Sequence, residues 1–338
     1  MATLSTAKRK RGFLESREPG QLNGFGLALP AIFWMIFFFI LPVLIVLVMS
    51  FLTRTRSGGE LPLTLKAYDD VFGEFYEADE VQESWQAVLT AESGADRLSA
   101  LGDLFEADNP YARVLVRSLW IALVSTVACL VLGYPLAYYI ATRQSELYRV
   151  FTLFLVVLPF WTNFLVRTYA WRVMLGTEGV INTVLVNTGV VQEPLQLLFT
   201  QGAVIVGLVY GFLPFMVLPI YASVSRFNFR LVEAANDLGA NDWFAFWRVV
   251  LPGTLPGVIA GCILVFIPCI GSYVTPDLLG GGAGDRVLIG NLIAEQFGGS
   301  AGNYPRGSAL SVVLMAIVLG SLFVYLRFGQ EASEGRGN

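Results

Sequence analysis

Histidine is absent from all 338 residues, and lysine and cysteine occur only three times each. Without histidine there is no Ser-His-Asp or Cys-His catalysis, no HExxH zinc site and no histidine proton relay. The lysines are Lys8, Lys10 and Lys66, and none follows a glycine. A nucleotide-binding P-loop needs the GxxxxGK[ST] run, whose lysine reaches the phosphates, so this chain is not expected to hydrolyse nucleotide. Cys129, Cys262 and Cys269 fall inside apolar runs with no CxxC pair, and read as small hydrophobes rather than metal or redox ligands. Charge is scarce too. Only 14% of residues are charged, against about a quarter in a soluble domain. No basic stripe extends beyond a short N-terminal cluster, which argues against nucleic acid as a partner.

What fills the chain instead is apolar: 55% of residues are hydrophobic and the mean hydropathy is +0.62. Apolar runs lie at approximately 26–52, 113–142, 149–172, 199–224, 257–276 and 307–327. Each is long enough for a helix across a hydrocarbon core, which needs about 20 residues. The expected fold is therefore all-α, a polytopic membrane protein with six transmembrane helices. The first run carries no charge through AIFWMIFFFILPVLIVLVMSF, and Pro42 is tolerable inside a membrane helix. The pairs Gly207-xxx-Gly211 and Gly257-xxx-Gly261 put small residues one turn apart, as close helix packing requires. No repeat of 20–50 residues is evident.

Short flanks set the orientation. Lys8, Arg9, Lys10, Arg11 and Arg17 precede the first run, and Arg143 and Arg149 lie between the second and third. Arg226, Arg230 and Arg248 fall between the fourth and fifth, and Arg327 opens the C-terminal tail. Six spans put all of these on one side, the cytoplasmic one, with both termini there. The basic N-terminus does not read as a cleavable signal, because its apolar core is too long and lacks a small-residue cleavage site. The plan is then a cytoplasmic tail at 1–25, a first span at 26–52 and an outward loop at 53–112. A five-helix core follows at 113–327, then a tail at 328–338. The outward loop holds 13 acids against four basic residues. Leu98, Leu101, Leu104 and Phe105 allow a short amphipathic helix there. That loop is either a solvated acidic cap or a surface that selects solute.

Between the fourth and fifth runs the chain reads EAANDLGANDWFAFWRVVLP from Glu233 to Pro252. Locally this suggests a helix over Leu231–Leu238 ended at Gly239, which takes a left-handed conformation cheaply. Asp242 would cap a second helix from Trp243 to Val250, ended by Pro252. Trp243, Phe244, Phe246 and Trp247 are many aromatics for an interfacial belt. A docking helix explains the whole spacing better. The spacing Glu233-Ala234-Ala235, Gly239 and Leu251-Pro252 resembles the EAA loop of inner-membrane permease subunits from binding-protein-dependent ABC importers, with Val249 where isoleucine is usual. LPFWTNFLVRTYAW at 158–171, LGTEGVINT at 175–183, PLQLLFT at 194–200, YVTPDLLGGG at 273–282 and NLIAEQF at 291–297 are similar to the polyamine branch.

The resemblance implies a type I, MetI-like permease of the bacterial inner membrane, carrying spermidine or putrescine delivered by a periplasmic solute-binding protein. It implies a second homologous permease subunit and two copies of a cytoplasmic ATPase, which uses ATP and Mg; this chain would bind no cofactor. The loop at 225–256 would be the ATPase-coupling element through Glu233, Ala234, Ala235, Gly239, Leu251 and Pro252.

Polar groups at membrane depth need a partner or a cavity. Trp161, Asn163, Arg167 and Trp171 form the richest such cluster, and the last three share a helix face at i, i+4 and i+8. Tyr169 falls off that face. Two readings stand: inter-helix hydrogen bonds with an aromatic belt, or a wall of the solute passage. For a cation, Asp277 in Thr275-Pro276-Asp277 is the first candidate carboxylate and Glu178 the second, with aromatic faces adding cation–π attraction. Asp277 serves equally well as a turn cap. Arg167 opposes a cation passage unless an acid pairs with it. A membrane enzyme lacks a reactive cluster here, and a passive channel or ion-coupled carrier leaves the EAA spacing unexplained.

Overall fold

The computed structural model describes residues 20–55, 58–60, 63–69, 71, 90, 110–282, 287–298 and 302–334. The chain divides into two compact units between Val48 and Met49. In the first unit, α1 (Gly20–Met35) runs through a π turn at Ile36–Ile40 into α2 (Leu41–Met49). Residues Ala28–Met49 form one apolar helix long enough to cross a bilayer.

The second unit opens with a short antiparallel pair, β1 (Thr53–Thr55) and β2 (Gly58–Glu60), a small addition to the all-α expectation. Ala67 and Val71 then bury against Ala309 and Leu310. The near end of the acidic loop is thus packed on the protein rather than wholly solvated. The expected helix at Leu98–Phe105 lies outside the described residues.

Three long helices make the core: α3 (Pro110–Ala141), α7 (Gln201–Ser225) and α10 (Leu251–Gly271). Ile121, Ile140, Leu208, Met216, Ile220 and Val265 are fully buried between them. Lipid is as apolar as leucine, so burial alone gives no drive for such helices to associate. Close packing and internal hydrogen bonds supply it instead. A Cβ on Gly257 would sit 2.4 Å from the Ser223 Cβ and 2.7 Å from the Pro219 carbonyl, so α7 and α10 meet backbone to backbone. Tyr134 and Thr254 share a buried hydroxyl hydrogen bond at 3.0 Å. All three cysteines are free, with Cys129 and Cys269 buried among apolar neighbours.

The third apolar run departs from the expected single helix over 149–172. It is a bent pair: α4 (Glu146–Val157) ends in a 3₁₀ turn at Leu158–Trp161, and α5 (Phe164–Leu175) leaves in a new direction. The segments Glu146–Trp161 and Phe164–Asn187, the latter including α6 (Val180–Asn187), meet at 89°. Asn163 explains the restart, since its side chain accepts from the Leu165 amide at 2.8 Å and caps α5. Among the described residues, five helices are long and apolar enough to span, and the bent pair makes the sixth if it counts as one.

Two short helices, α8 (Arg230–Asp237) and α9 (Asp242–Ala245), lead through a π turn at Phe246–Val250 into α10. Beyond α10 a π turn at Pro276–Gly280 precedes α11 (Ile289–Phe297) and the final α12 (Tyr304–Glu334).

Candidate functional site

The segment from α8 to α10 carries the EAA spacing, and its local geometry follows from its residues. Asn228 accepts from the Arg230 amide at 3.2 Å at the start of α8. At the other end the Ala240 amide donates to the Ala235 carbonyl at 3.0 Å, and the Gly239 amide to Asn236 at 2.9 Å. This pair of bonds is a Schellman closure, which needs a left-handed residue at Gly239; its φ is +91°. Glu233 and Ala234 stand exposed, and Ala235 is half-buried.

Two local expectations are corrected here. Asn241, not Asp242, caps α9, accepting from the Phe244 amide at 2.8 Å. Asp242 instead accepts from Asn236 Nδ2 at 3.3 Å, which ties the two short helices together. Pro252 does not end the second helix either. The Leu251 amide donates five residues back to Phe246, and this wider π turn opens the backbone just ahead of the proline ring. Asp242–Gly271 is therefore one continuous rod, with the docking segment as its first turns. The same order of π turn, leucine and proline recurs at Ile36–Ile40, Leu41 and Pro42.

The aromatics divide by face. Phe246 turns inward, edge-on to Tyr134 and Tyr138 of α3 at 5.6 and 6.1 Å. Trp243, Phe244 and Trp247 turn outward, and Leu238 is 90% exposed. Ala235, Leu238, Ala240 and Phe244 border a shallow hollow of about 440 Å³. An apolar outer face joined by Phe246 to the core can receive a partner and pass its displacement to the spans.

The second cluster is only partly assembled. Arg167 and Trp171 line one cavity of about 430 Å³ with Thr162, Val166, Met174 and Tyr210. Trp171 meets Tyr210 edge-on at 5.5 Å. Arg167 donates from Nη1 to the Pro159 carbonyl at 2.8 Å and lies over the rings of Phe160, Phe164 and Tyr210 at 5.1–5.8 Å. Asn163 is occupied as the cap, and Trp161 is 78% exposed against Phe154, so neither joins that cavity. The expected shared face of Asn163, Arg167 and Trp171 thus fails at the bend, because Asn163 lies before the new helix begins. Tyr169 is exposed and apart.

Asp277 is exposed on the π turn at Pro276–Gly280. Leu279 of that turn is buried with Leu175 and Ala203, and Trp171 packs against the same group. Asp277 and Trp171 therefore belong to neighbouring segments. Glu178 is exposed in the turn before α6. Two residues escaped the sequence reading. Asn182, 1% exposed, donates to the Gly176 and Leu195 carbonyls and accepts from the Leu195 amide, pinning the segment between α6 and α7. Its place in LGTEGVINT was the available signal. Phe199 holds φ +60°, fixed by donation to the Leu279 carbonyl at 2.8 Å, and nothing in its neighbours announces this.

The family described as "Binding-protein-dependent transport system inner membrane component" matches residues 129–331, which includes both clusters. The chain belongs to this family. It is 41% identical over 296 residues to the spermidine/putrescine transport system permease protein PotB of Haemophilus influenzae, covering 87% of this chain and 90% of that one. It is 44% identical over 220 residues to PotB of Escherichia coli, covering 65% and 78%. Among solved structures, a bacterial ABC transporter involved in importing the polysaccharide alginate aligns with TM-score 0.57 at 15% identity, over 94% of this chain and 97% of that one. The fold is that of ABC importer permeases. The chain is a multi-pass inner-membrane permease subunit and not an enzyme. The first span and the acidic loop precede the family match.

Proposed function

We propose that this subunit carries a polyamine, spermidine or putrescine, across the bacterial inner membrane. The observation that supports this reading is the 41% identity to a spermidine/putrescine permease along 90% of that protein's length. The subunit pairs with a second homologous permease, receives solute from a periplasmic binding protein and docks two copies of a cytoplasmic ATPase. ATP and Mg act on those partners, and this chain binds neither.

The α8–α9 segment with Glu233, Ala234, Ala235 and Gly239 meets the ATPase, and the rod beginning at Asp242 carries the movement past Leu251 and Pro252. Nucleotide shifts the passage between outward and inward states only through contacts that differ between them. Trp161, Trp171 and Asp277 guide the cation near the outer half of the passage, while Asn163 and Arg167 shape its wall at the bend. Both termini and the α8–α9 segment are cytoplasmic. Thiol labelling in a chain freed of native cysteines then reaches position 90 from outside and position 241 only from inside.

The test is uptake of labelled spermidine and putrescine by cells that lack their own polyamine importers but express this subunit with its partners. Saturable uptake that disappears when this subunit is omitted supports the reading. Equal uptake without it contradicts the reading.

A further inference from the structure

A furrow of about 810 Å³ runs between α7 and α10, above the point where the two helices meet. Its walls are Pro219 and Ala222 of α7 and Pro256 and Ala260 of α10. Its floor is closed, because Gly257 lies against Ser223 and Pro219. Small residues and proline rings make it a smooth apolar trough within two membrane-spanning helices.

At its mouth stand Arg226 and Arg248, one from each side. Arg226 follows immediately on the last residue of the α7 span, Ser225. A guanidinium there sits where an apolar helix leaves the hydrocarbon, at the depth of lipid phosphates. Arg248 lies over the Phe244 ring at 5.6 Å. Among the described residues neither arginine is paired with a carboxylate.

We propose that this furrow is a binding site for an anionic phospholipid, with the phosphate between Arg226 and Arg248 and an acyl chain along Ala222 and Ala260. Charge complementarity selects this occupant. An apolar helix laid in the trough would leave two guanidiniums covered without an anion, and such groups need one. A free phosphate would satisfy them but leave the trough unfilled at membrane depth. A phospholipid supplies both halves in one molecule. The site borders the α8–α9 segment, since Leu231 and Val249 also line it, so an occupant would steady that segment against α7 and α10.

The experiment is native mass spectrometry of the assembled importer after exposure to phosphatidylglycerol or phosphatidylcholine with the same chains. Phosphatidylglycerol should be retained about tenfold or more over phosphatidylcholine, as two arginines near a membrane surface provide. Arg226→Gln with Arg248→Gln should abolish that preference. Ala222→Phe, which fills the trough without altering charge, should lower retention of phosphatidylglycerol as well. Arg143→Gln, which removes a guanidinium held over the Tyr139 ring outside the furrow, should leave it unchanged. Equal retention of the two lipids by the parent protein overturns the proposal, as does a preference that survives both furrow variants. Efficient cross-linking of Ala222→Cys to the second permease subunit also overturns it, by assigning the furrow to the subunit interface.

Discussion

Arg167 reaches back eight residues to donate to the Pro159 carbonyl at 2.8 Å, across the 89° bend between α4 and α5. The same carbonyl accepts from the Thr162 hydroxyl at 2.7 Å and the Thr162 amide at 3.3 Å. A helix end at membrane depth must satisfy its carbonyls internally. Three donors on one oxygen do so here, and the positive charge of Arg167 is held against a carbonyl and three rings.

Arg167→Met is therefore expected to destabilise the assembled permease by about 1.5–3 kcal/mol, the range for a hydrogen bond to a charged group. Thermal unfolding of the assembled complex measures this. An unchanged melting temperature with an altered solute KM would place Arg167 in the passage instead of at the corner.

Gly239→Val should lower ATP-driven uptake while the subunit still inserts and assembles. A Cβ at this position meets nothing within 4 Å, so only the left-handed backbone, at φ +91°, penalises the substitution. That penalty is roughly 1–2 kcal/mol. Gly239→Asn, which tolerates this conformation better, should recover part of the loss. Uptake at the parental rate in Gly239→Val would remove Gly239 from the coupling element.

Gly257 and Gly211, one from each spaced pair, should behave unequally. Gly257→Leu drives a side chain into Ser223 and the Pro219 backbone, and is expected to prevent a stable α7–α10 contact. Gly211→Ala meets nothing within 4 Å and should be neutral or slightly stabilising through helix propensity. Yields of folded protein on size-exclusion chromatography compare the two directly.

Asp277→Asn keeps size and hydrogen bonding but removes the charge. It should reduce the uptake rate of a cationic solute, most at low concentration, with assembly and basal ATPase activity intact. If uptake is unchanged, Asp277 serves only its turn.

The legible parts of this chain are those whose cause is local. Gly239 follows a helical stretch and takes a left-handed conformation cheaply, so the turn and the first short helix could be read directly. The fate of each proline could not. Pro42, Pro214, Pro219, Pro256 and Pro268 lie within helices or run on from a π turn, whereas the run containing Pro159 breaks. What separates Pro159 is the following Thr162 and Asn163, which supply a donor and a new cap in place of a continued helix. Pro252 looked like a terminator because a π turn leaves no periodic mark in the sequence. Equal spacing implies a shared face only along an unbroken helix, so Asn163, which caps the restart, lies outside the cavity that Arg167 and Trp171 line. The EAA spacing and the branch motifs led to the family, while Asn182 and Phe199 depend on contacts distant in sequence.

The most direct test of the whole account is transport by purified components. The subunit, its partner permease and the ATPase are reconstituted in vesicles with the binding protein outside and nucleotide inside. The expected result is accumulation of spermidine or putrescine that requires both ATP and the binding protein and stops with a non-hydrolysable analogue. Polyamine uptake of equal rate without ATP, or without the binding protein, would contradict it.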